Sequence, residues 1–148
     1  MTIRAASQAD VPLLGAIAEA AGLFPAEFLP DMIAPAMNGG DDLWLVAEEN
    51  STPVGLAFAR PEELTDRVWN LLAIGVSPDA RGSGIATALL HGVEQQLDAR
   101  MIVIETTQLP EQAAARAFYA KEGYENEGQV RDFYAKGEDK VIFRKVLG

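Results

Sequence analysis

The chain has 148 residues, which is enough for one domain with a sizeable core. Its 12 Lys and Arg against 22 Asp and Glu give a formal net charge of -10, which repels nucleic-acid phosphates and anionic membranes. It has no cysteine and one histidine, His91, which excludes disulfides and thiolate catalysis and argues against a His-based metal site. We therefore expect a cytoplasmic protein with no metal and with no nucleic-acid or membrane partner.

The first third of the chain predicts a strand and two helical segments. Residues 2–5 are a strand candidate, and Ser7 and Asp10 offer N-caps for a helix that ends near Gly22. Its apolar patch at residues 11–18 is too short to span a membrane. Residues 23–37 have a helical pattern interrupted by three prolines, which predicts a short or broken helix.

Three strands are predicted next. Strands at residues 43–48 and 54–60 flank the turn Asn50-Ser51-Thr52-Pro53, which favours an antiparallel hairpin. A short connection then leads to a central buried strand at residues 70–76. Gly75 inside this strand indicates a bulge, a close backbone approach or simple tolerance of a small residue.

A turn with two glycines follows the central strand and opens an amphipathic helix near Ile85. Gly82 and Gly84 can adopt positive φ and bring backbone N–H groups close to a ligand. A helix N-terminus has unpaired N–H groups and a partial positive charge, and Arg81 would add a cation with donors suited to phosphate. The pattern predicts a phosphate site. A plain strand-to-helix turn remains the alternative.

A dinucleotide-binding fingerprint is a competing interpretation of residues 82–87, because Glu105 lies about twenty residues on. Thr87 stands where that fingerprint needs a third small residue, and the preceding chain predicts hairpins where βαβ units are required. A P-loop is excluded because no Gly-Lys-Ser/Thr follows. His91 lies off the apolar stripe of the helix and is expected at the solvated surface.

The last third predicts a strand, a helix and two closing strands. The strand at residues 101–107 should run parallel to the central strand, and a helix from Pro110 should end at Gly123. Strands at residues 124–134 and 140–146 should be joined through residues 136–139.

The motif Arg81-Gly82-Ser83-Gly84-Ile85-Ala86 resembles the acyl-coenzyme A (CoA) binding signature of the GNAT N-acetyltransferases. Residues 71–78 resemble the strand before that signature, and residues 115–124 resemble the later helix of the family. The resemblance implies an α/β fold of the α+β type in a single GNAT-like domain, residues 1–148. Such a fold has a mixed sheet of about six to seven strands, an antiparallel N-terminal half and about four flanking helices.

The resemblance also implies acetyl-CoA as co-substrate, with the pyrophosphate on the backbone amides of the glycine turn. The pantetheine arm would run beside the central strand and pair with its backbone like an added strand. Gln112 stands where the family commonly has Asn. The implied coenzyme-binding residues are Ile74, Gly75, Val76, Arg81, Gly82, Ser83, Gly84, Ile85, Ala86, Thr87, Gln112 and Ala115.

Tyr119 matches the family's acid for the departing thiolate; a packed aromatic beside Phe118 is the alternative. The acceptor amine must lose a proton, since an alkylammonium with a pKa of ~10.4 is neutral in roughly one molecule in a few thousand at pH 7. Asn70 lies where the family often has an acid, and it cannot accept a proton. Glu105 is a candidate base; a solvent-facing strand residue is the alternative.

The sequence therefore predicts an N-acetyltransferase that acts by direct attack of a primary amine in a ternary complex. The acceptor would be a small cationic amine or a protein or peptide amine; a non-catalytic acyl-CoA sensor is the alternative function. A monomer and a homodimer both remain open. We expect the acceptor between the broken helix and the final hairpin, against Phe24, Phe28, Asp132, Phe133 and Tyr134.

Overall fold

The computed structural model describes residues 1–148 and contains four α-helices and seven strands. The helices are α1 (Val11–Ala20), α2 (Leu29–Met37), α3 (Ile85–Gln96) and α4 (Ala113–Lys121). The strands are β1 (Thr2–Ala5), β2 (Leu43–Glu49), β3 (Thr52–Pro61), β4 (Val68–Val76), β5 (Met101–Thr107), β6 (Glu125–Ala135) and β7 (Glu138–Val146). No helix is long and apolar enough to cross a membrane.

The strands form one mixed sheet in the order β1-β2-β3-β4-β5-β7-β6. Strands β1, β2 and β3 pair antiparallel, β4 pairs with β5 in parallel, and β7 pairs antiparallel with both β5 and β6. The predicted mixed sheet with an antiparallel N-terminal half is confirmed. The final connection is shorter than predicted, because Ala135 already pairs with Glu138 across the two-residue turn Lys136-Gly137.

The chain divides into two compact units, and each is described by itself. The first unit comprises residues 1–61 and 72–98, and the second comprises residues 62–71 and 99–148. The assignment of residues 1–148 to one domain stays a prediction.

The first unit has a core that joins α1 and α2 to the strands. Trp44 and Phe58 stack at its centre, with ring centroids 4.1 Å apart and an interplanar angle of 11°. Pro30 is tolerated in the first turn of α2, whereas Pro35 lies inside the helix, which ends two residues later. The segment predicted as a short or broken helix is thus a 3-10 turn followed by a short helix of nine residues. The buried members of this core are Leu14, Ile17, Ala18, Leu29, Ile33, Trp44, Val46, Leu56, Phe58 and Ala73.

Helix α3 packs unusually close to the strands of the first unit. A Cβ added at Gly55 would lie 3.0 Å from Leu89 Cδ1, and one added at Gly92 would lie 3.0 Å from Ile3 Cγ2. Any side chain at either glycine would therefore force the helix or its neighbours to shift. Four residues of the predicted apolar stripe are buried, namely Ile85, Leu89, Leu90 and Val93, whereas the fifth, Leu97, is half-buried at the C-cap.

Strand β1 is anchored by a charged network around Arg4. Its guanidinium donates two 2.8 Å hydrogen bonds to the carboxylate of Asp10 and one of 3.1 Å to Glu48. The backbone N–H of Ser7 also donates to Asp10, at 2.7 Å. The hydrogen bond from Arg4 lowers the pKa of Asp10 to about 2, although burial of this carboxylate acts in the opposite direction.

The second unit packs α4 against its strands through aromatic side chains. The Tyr119 ring lies 5.9 Å from Phe143 and 6.4 Å from Tyr124, measured between centroids. Gly123, with φ of +93°, ends the helix as predicted, and the Tyr124 N–H donates to the Tyr119 carbonyl at 3.0 Å.

We expect Asp10→Asn to lower the free energy of unfolding at pH 7 by ~1–3 kcal/mol, because a partly buried network around a charged guanidinium loses its carboxylate. The folded-state pKa of Asp10 is depressed, so its stabilising contribution is present above the ordinary value of 3.8 and is lost as the pH falls towards about 2. The stability difference between wild type and variant should shrink over that range in urea unfolding curves. Asp31→Asn removes an exposed carboxylate and is the control; a difference that is constant with pH would contradict the ion-pair account.

Candidate functional site

The glycine turn of the first unit has the backbone that its sequence predicts. Gly82 and Gly84 have φ of +84° and +78°, and a Cβ added at either would meet no atom within 4 Å. The space above both residues is therefore open. The Ser83 hydroxyl donates to the Ala80 carbonyl at 2.7 Å and holds the turn from within.

The N-terminus of α3 lies beside this open space. Gly84 is the N-cap residue of α3, no side chain caps the helix, and its first turn has no acidic residue. Arg81 is exposed immediately before the turn. Backbone donors, the helix dipole and a nearby guanidinium all favour an anion here, so the residues fit a phosphate group. Of the other predicted turn residues, Ile85 is buried, and Ala86 and Thr87 are half-buried.

Strand β4 ends at Val76, and the 3-10 helix Pro78–Ala80 lies between it and the glycine turn. The Ser77 N–H donates to the Val54 carbonyl at 2.8 Å, which fixes the end of β4 against β3. A Cβ added at Gly75 would lie 2.7 Å from Leu23 Cδ1 and 3.2 Å from Ala21 Cβ. These two side chains approach Gly75 so closely that a larger residue would clash with them, which explains why glycine occupies this position. Its neighbours in the predicted coenzyme strand differ in burial, since Ile74 is half-buried and Val76 is buried.

In the second unit, Tyr119 is the buried tyrosine of α4, with 8% of its surface exposed. Burial raises the pKa of its phenol to about 12, so the group stays protonated at neutral pH. The tyrosine is packed among aromatic rings and keeps its proton. Gln112 is exposed at the N-cap of α4, and Ala115 is half-buried one turn further on.

Arg116 was missed by the sequence analysis, although it ties α4 to the end of β5. Its guanidinium donates to the Thr107 carbonyl at 2.6 Å and to the Leu109 carbonyl at 2.9 Å. This arginine fixes the helix that carries Tyr119. An arginine in a polar helix is typical of a solvated face, so no local signal identifies this role.

The β6-β7 hairpin contains a large bulge at Asp132. Val130 pairs with Lys140 and Ala135 pairs with Glu138, so the four residues between Val130 and Ala135 face Asp139 alone. Asp132 has φ of +56°, and its carboxylate accepts the Gly137 N–H at 2.8 Å. The Asp132 carboxylate, which is predicted to bind the acceptor, thus also forms a hydrogen bond within the hairpin.

Asp139 and Gln108 hold this bulge. The Asp139 carboxylate accepts the Asp132 N–H at 2.9 Å and the Gln129 amide at 2.6 Å, and these hydrogen bonds lower its pKa. The Gln108 side chain accepts the Asp139 N–H at 2.6 Å and donates to the Gly137 carbonyl at 2.9 Å. Gln108, in the loop after β5, therefore holds the turn of the β6-β7 hairpin in place. No local sequence signal indicates this role of Gln108.

Glu105 forms an ion pair with Lys140, whose Nζ lies 3.0 Å from its carboxylate. The same ammonium lies 4.0 Å from the centroid of the Phe133 ring, and Tyr134 meets that ring edge-on, 5.1 Å away. The Glu105 carboxylate is thus in contact with a cation, and its role as general base stays a prediction. The sequence contains no signal for this ion pair, and the Glu105 side chain remains 30% exposed.

The structure therefore brings the predicted coenzyme-turn residues together in the first unit. It gathers Asp132, Phe133 and Tyr134 in the second unit, around the hairpin bulge. Phe24 and Phe28 belong to the first unit, where Phe24 packs on the core and Phe28 is 52% exposed. His91 is exposed on α3, as predicted.

The family model described as an acetyltransferase (GNAT) domain matches residues 40–126, which is more than half of the chain. A GNAT-family protein of known structure from Desulfovibrio desulfuricans is 25% identical, with 99% of each chain covered and a TM-score of 0.93. This similarity confirms the predicted GNAT-like fold. No curated protein sequence matches the chain.

Two more distant solved structures share the fold. The ribosomal-protein-alanine N-acetyltransferase of Brucella melitensis is 24% identical over 99% of this chain and 100% of its own, with a TM-score of 0.77. A protein of Salmonella typhimurium, solved with its cofactor acetyl-CoA, is 21% identical over 100% of this chain and 94% of its own, with a TM-score of 0.79.

We expect the Tyr119 phenol to stay protonated up to about pH 11, a unit below its pKa of about 12. The ultraviolet absorbance change of tyrosinate formation up to that pH should therefore be the same in wild type and in Tyr119→Phe. Circular dichroism at each pH checks that the fold persists. Tyr134→Phe is the comparison variant: burial and nearby carboxylates raise the pKa of Tyr134 too, but this side chain is 44% exposed and should ionise before Tyr119, so its removal should reduce the signal. A smaller signal in Tyr119→Phe would contradict the burial of this phenol.

Proposed function

Since the chain belongs to the GNAT acetyltransferase family, we propose that it moves the acetyl group of acetyl-CoA to a primary amine, with residues 1–148 acting as one domain. The observation that carries this proposal is the open, positive-φ turn at Gly82 and Gly84 before an uncapped helix. It has the donors and the space that a pyrophosphate needs.

The proposed coenzyme contacts follow from the chemistry of each segment. The amides from Gly82 to Thr87 and the guanidinium of Arg81 would hold the phosphates. The backbone of Ile74, Gly75 and Val76 would pair with the amide groups of the pantetheine arm, and Gln112 and Ala115 on α4 would add contacts. The related structure from Salmonella typhimurium, which contains acetyl-CoA, supports this choice of co-substrate.

In the proposed reaction, the neutral amine attacks the thioester carbonyl directly, so that a carbon–nitrogen bond forms and the carbon–sulfur bond breaks. The proton that the amine nitrogen loses balances the proton that the departing sulfur gains. Tyr119 would donate its proton to the departing sulfur. A phenol with a pKa of about 12 is a weaker acid than an ordinary thiol, whose pKa is about 8.5. Full proton transfer before bond cleavage is therefore unfavourable, and we propose a hydrogen bond that strengthens as negative charge develops on the sulfur.

The reaction also requires a base that takes up the proton of the acceptor ammonium. The amide of Asn70 is 5% exposed and cannot accept a proton, and Glu105 is paired with Lys140. These two observations favour a second candidate function, an acyl-CoA sensor without catalysis. A panel of primary amines, read by release of the free thiol of CoA, separates the two functions. Amine-dependent thiol release supports the enzyme, and binding of acetyl-CoA without any turnover supports the sensor.

The acceptor would be a primary amine of a small cationic molecule or of a protein or peptide. The net charge of -10 favours a positively charged acceptor. A protein acceptor has a parallel in the related Brucella enzyme, whose name gives a ribosomal-protein alanine as its acceptor.

We predict that Gly84→Glu abolishes binding of acetyl-CoA in calorimetry, because a carboxylate would face the phosphates and a side chain would fill their space. Gly39→Glu is the matched control: Gly39 has a similar φ of +88°, also has nothing within 4 Å of an added Cβ, and lies after α2. Both variants add the same charge and the same backbone strain. Equal coenzyme affinity in folded Gly84→Glu and Gly39→Glu would refute the phosphate assignment.

We predict that Tyr119→Phe lowers kcat by roughly 10²–10⁴-fold and leaves the affinity for acetyl-CoA nearly unchanged, since it keeps the ring and removes only the proton donor. Pre-steady-state thiol release should locate the loss in the chemical step. Tyr124→Phe removes another phenol of the same aromatic cluster and should have a much smaller effect. A kcat near that of the wild type in Tyr119→Phe, with chemistry rate-limiting, would exclude Tyr119 as the acid.

A further inference from the structure

We propose that Glu105, Phe133 and Tyr134 form a binding site for an alkylammonium group of the acceptor, and that Lys140, whose own ammonium occupies this site, sets its specificity. The inference rests on the proposed function for the identity of the ligand as an acceptor. The site itself is defined by contacts within the second unit.

The ammonium of Lys140 has the partners that an external alkylammonium would need. It lies 3.0 Å from the Glu105 carboxylate and 4.0 Å from the centroid of the Phe133 ring. A carboxylate supplies the opposite charge, and an aromatic face attracts a cation through its quadrupole. The Lys140 side chain is 14% exposed, so much of it is already withdrawn from water.

The pairing of β5 with β7 fixes the face on which this site lies. Thr107 pairs with Lys140 and Glu105 pairs with Ile142, so these four side chains share one face of the sheet. The neighbouring residue Val141 is buried and points to the opposite face, because successive strand residues alternate. Phe143, on the same face as Val141, contacts Tyr119 of α4. The ammonium site thus lies on the face opposite α4.

The hairpin bulge supplies the aromatic part of the site. Phe133 and Tyr134 are among the four residues that face Asp139 alone, and their rings meet at 88°. The Tyr134 pKa is raised by burial and then by the charges of Glu105 and Glu138, so both carboxylates act on this phenol. The Asp132 carboxylate accepts the Gly137 N–H within the hairpin turn, whereas the Glu105 carboxylate lies 3.0 Å from the Lys140 ammonium. Glu105 is therefore the carboxylate that we assign to the proposed site.

Lys140 controls this site because it must be displaced before another cation can bind. With Lys140 present, the charge of Glu105 is balanced and the ring face is covered. Without it, the carboxylate and the ring face would be available to a ligand. Lys140 therefore selects against weakly held cations and admits an acceptor whose other contacts compensate for the broken ion pair.

The test removes the resident ammonium and measures binding of a cation that cannot be acetylated on nitrogen. Lys140→Met keeps a long unbranched side chain and removes the charge. Choline is the probe, and 3,3-dimethylbutan-1-ol is its neutral isostere. The aromatic NMR signals of Phe133 and Tyr134 report binding without acetyl-CoA. The outcome is therefore independent of whether the protein catalyses acetyl transfer.

We expect Lys140→Met to bind choline about three- to tenfold more tightly than the wild type, with no gain for the neutral isostere. Lys136→Met is the matched control, because it removes one positive charge from the exposed hairpin turn. Adding Glu105→Gln to Lys140→Met should abolish the gain. In turnover, Lys140→Met should lower KM for cationic acceptors more than for neutral-tailed ones.

Three results would each overturn the proposal: equal choline affinity in wild type and Lys140→Met, an equal gain in Lys136→Met, or a gain that survives Glu105→Gln. The second would indicate a general effect of net charge, and the third a site elsewhere. If circular dichroism shows that Lys140→Met does not fold, Lys140→Gln takes its place, and we expect the same gain in choline affinity. Failure of acetyl transfer together with the expected choline gain would refute the proposed function and leave the ammonium site in place.

Discussion

The close packing of α3 on the strands of the first unit is the constraint on which the proposed coenzyme site depends. Gly55 and Gly92 leave room for Leu89 and Ile3, whose methyl groups would lie 3.0 Å from any added Cβ. Buried packing along one stripe of α3 fixes the helix, and the hydrogen bond from Ser77 to Val54 fixes the end of β4. The turn lies between these two fixed ends, and in the proposed function its amides would form a preorganised anion site.

In the second unit, contacts between residues that are distant in the sequence hold the side chains of the proposed site in place. Arg116 binds carbonyls at the end of β5 and holds α4, and Gln108 clamps the hairpin turn through Asp139 and Gly137. The packed helix keeps Tyr119 buried and protonated, and the clamped hairpin keeps Phe133 beneath the Lys140 ammonium. In the first unit, backbone groups form the proposed site, whereas in the second unit side chains do.

Features set by neighbouring residues could be predicted from the sequence. The positive-φ glycines, the buried stripe of α3 and the end of α4 at Gly123 all follow from spacing and from the special conformations of glycine. The pairing of Glu105 with Lys140 could not be predicted, because the two residues lie on different strands and neither has a local signal. The final turn was predicted too long because Lys136-Gly137 alone reverses the chain and leaves Glu138 in β7.

The central claim is that the glycine turn binds the phosphates of coenzyme A. The most direct measurement is a titration with coenzyme A followed by two-dimensional ¹H–¹⁵N NMR, with each backbone amide assigned. We expect the largest and earliest chemical-shift changes at the amides from Gly82 to Thr87. We also expect desulfo-coenzyme A, which keeps the phosphates, to reproduce these changes. Saturable binding that leaves these amides unshifted, with the main changes elsewhere in the chain, would contradict the account.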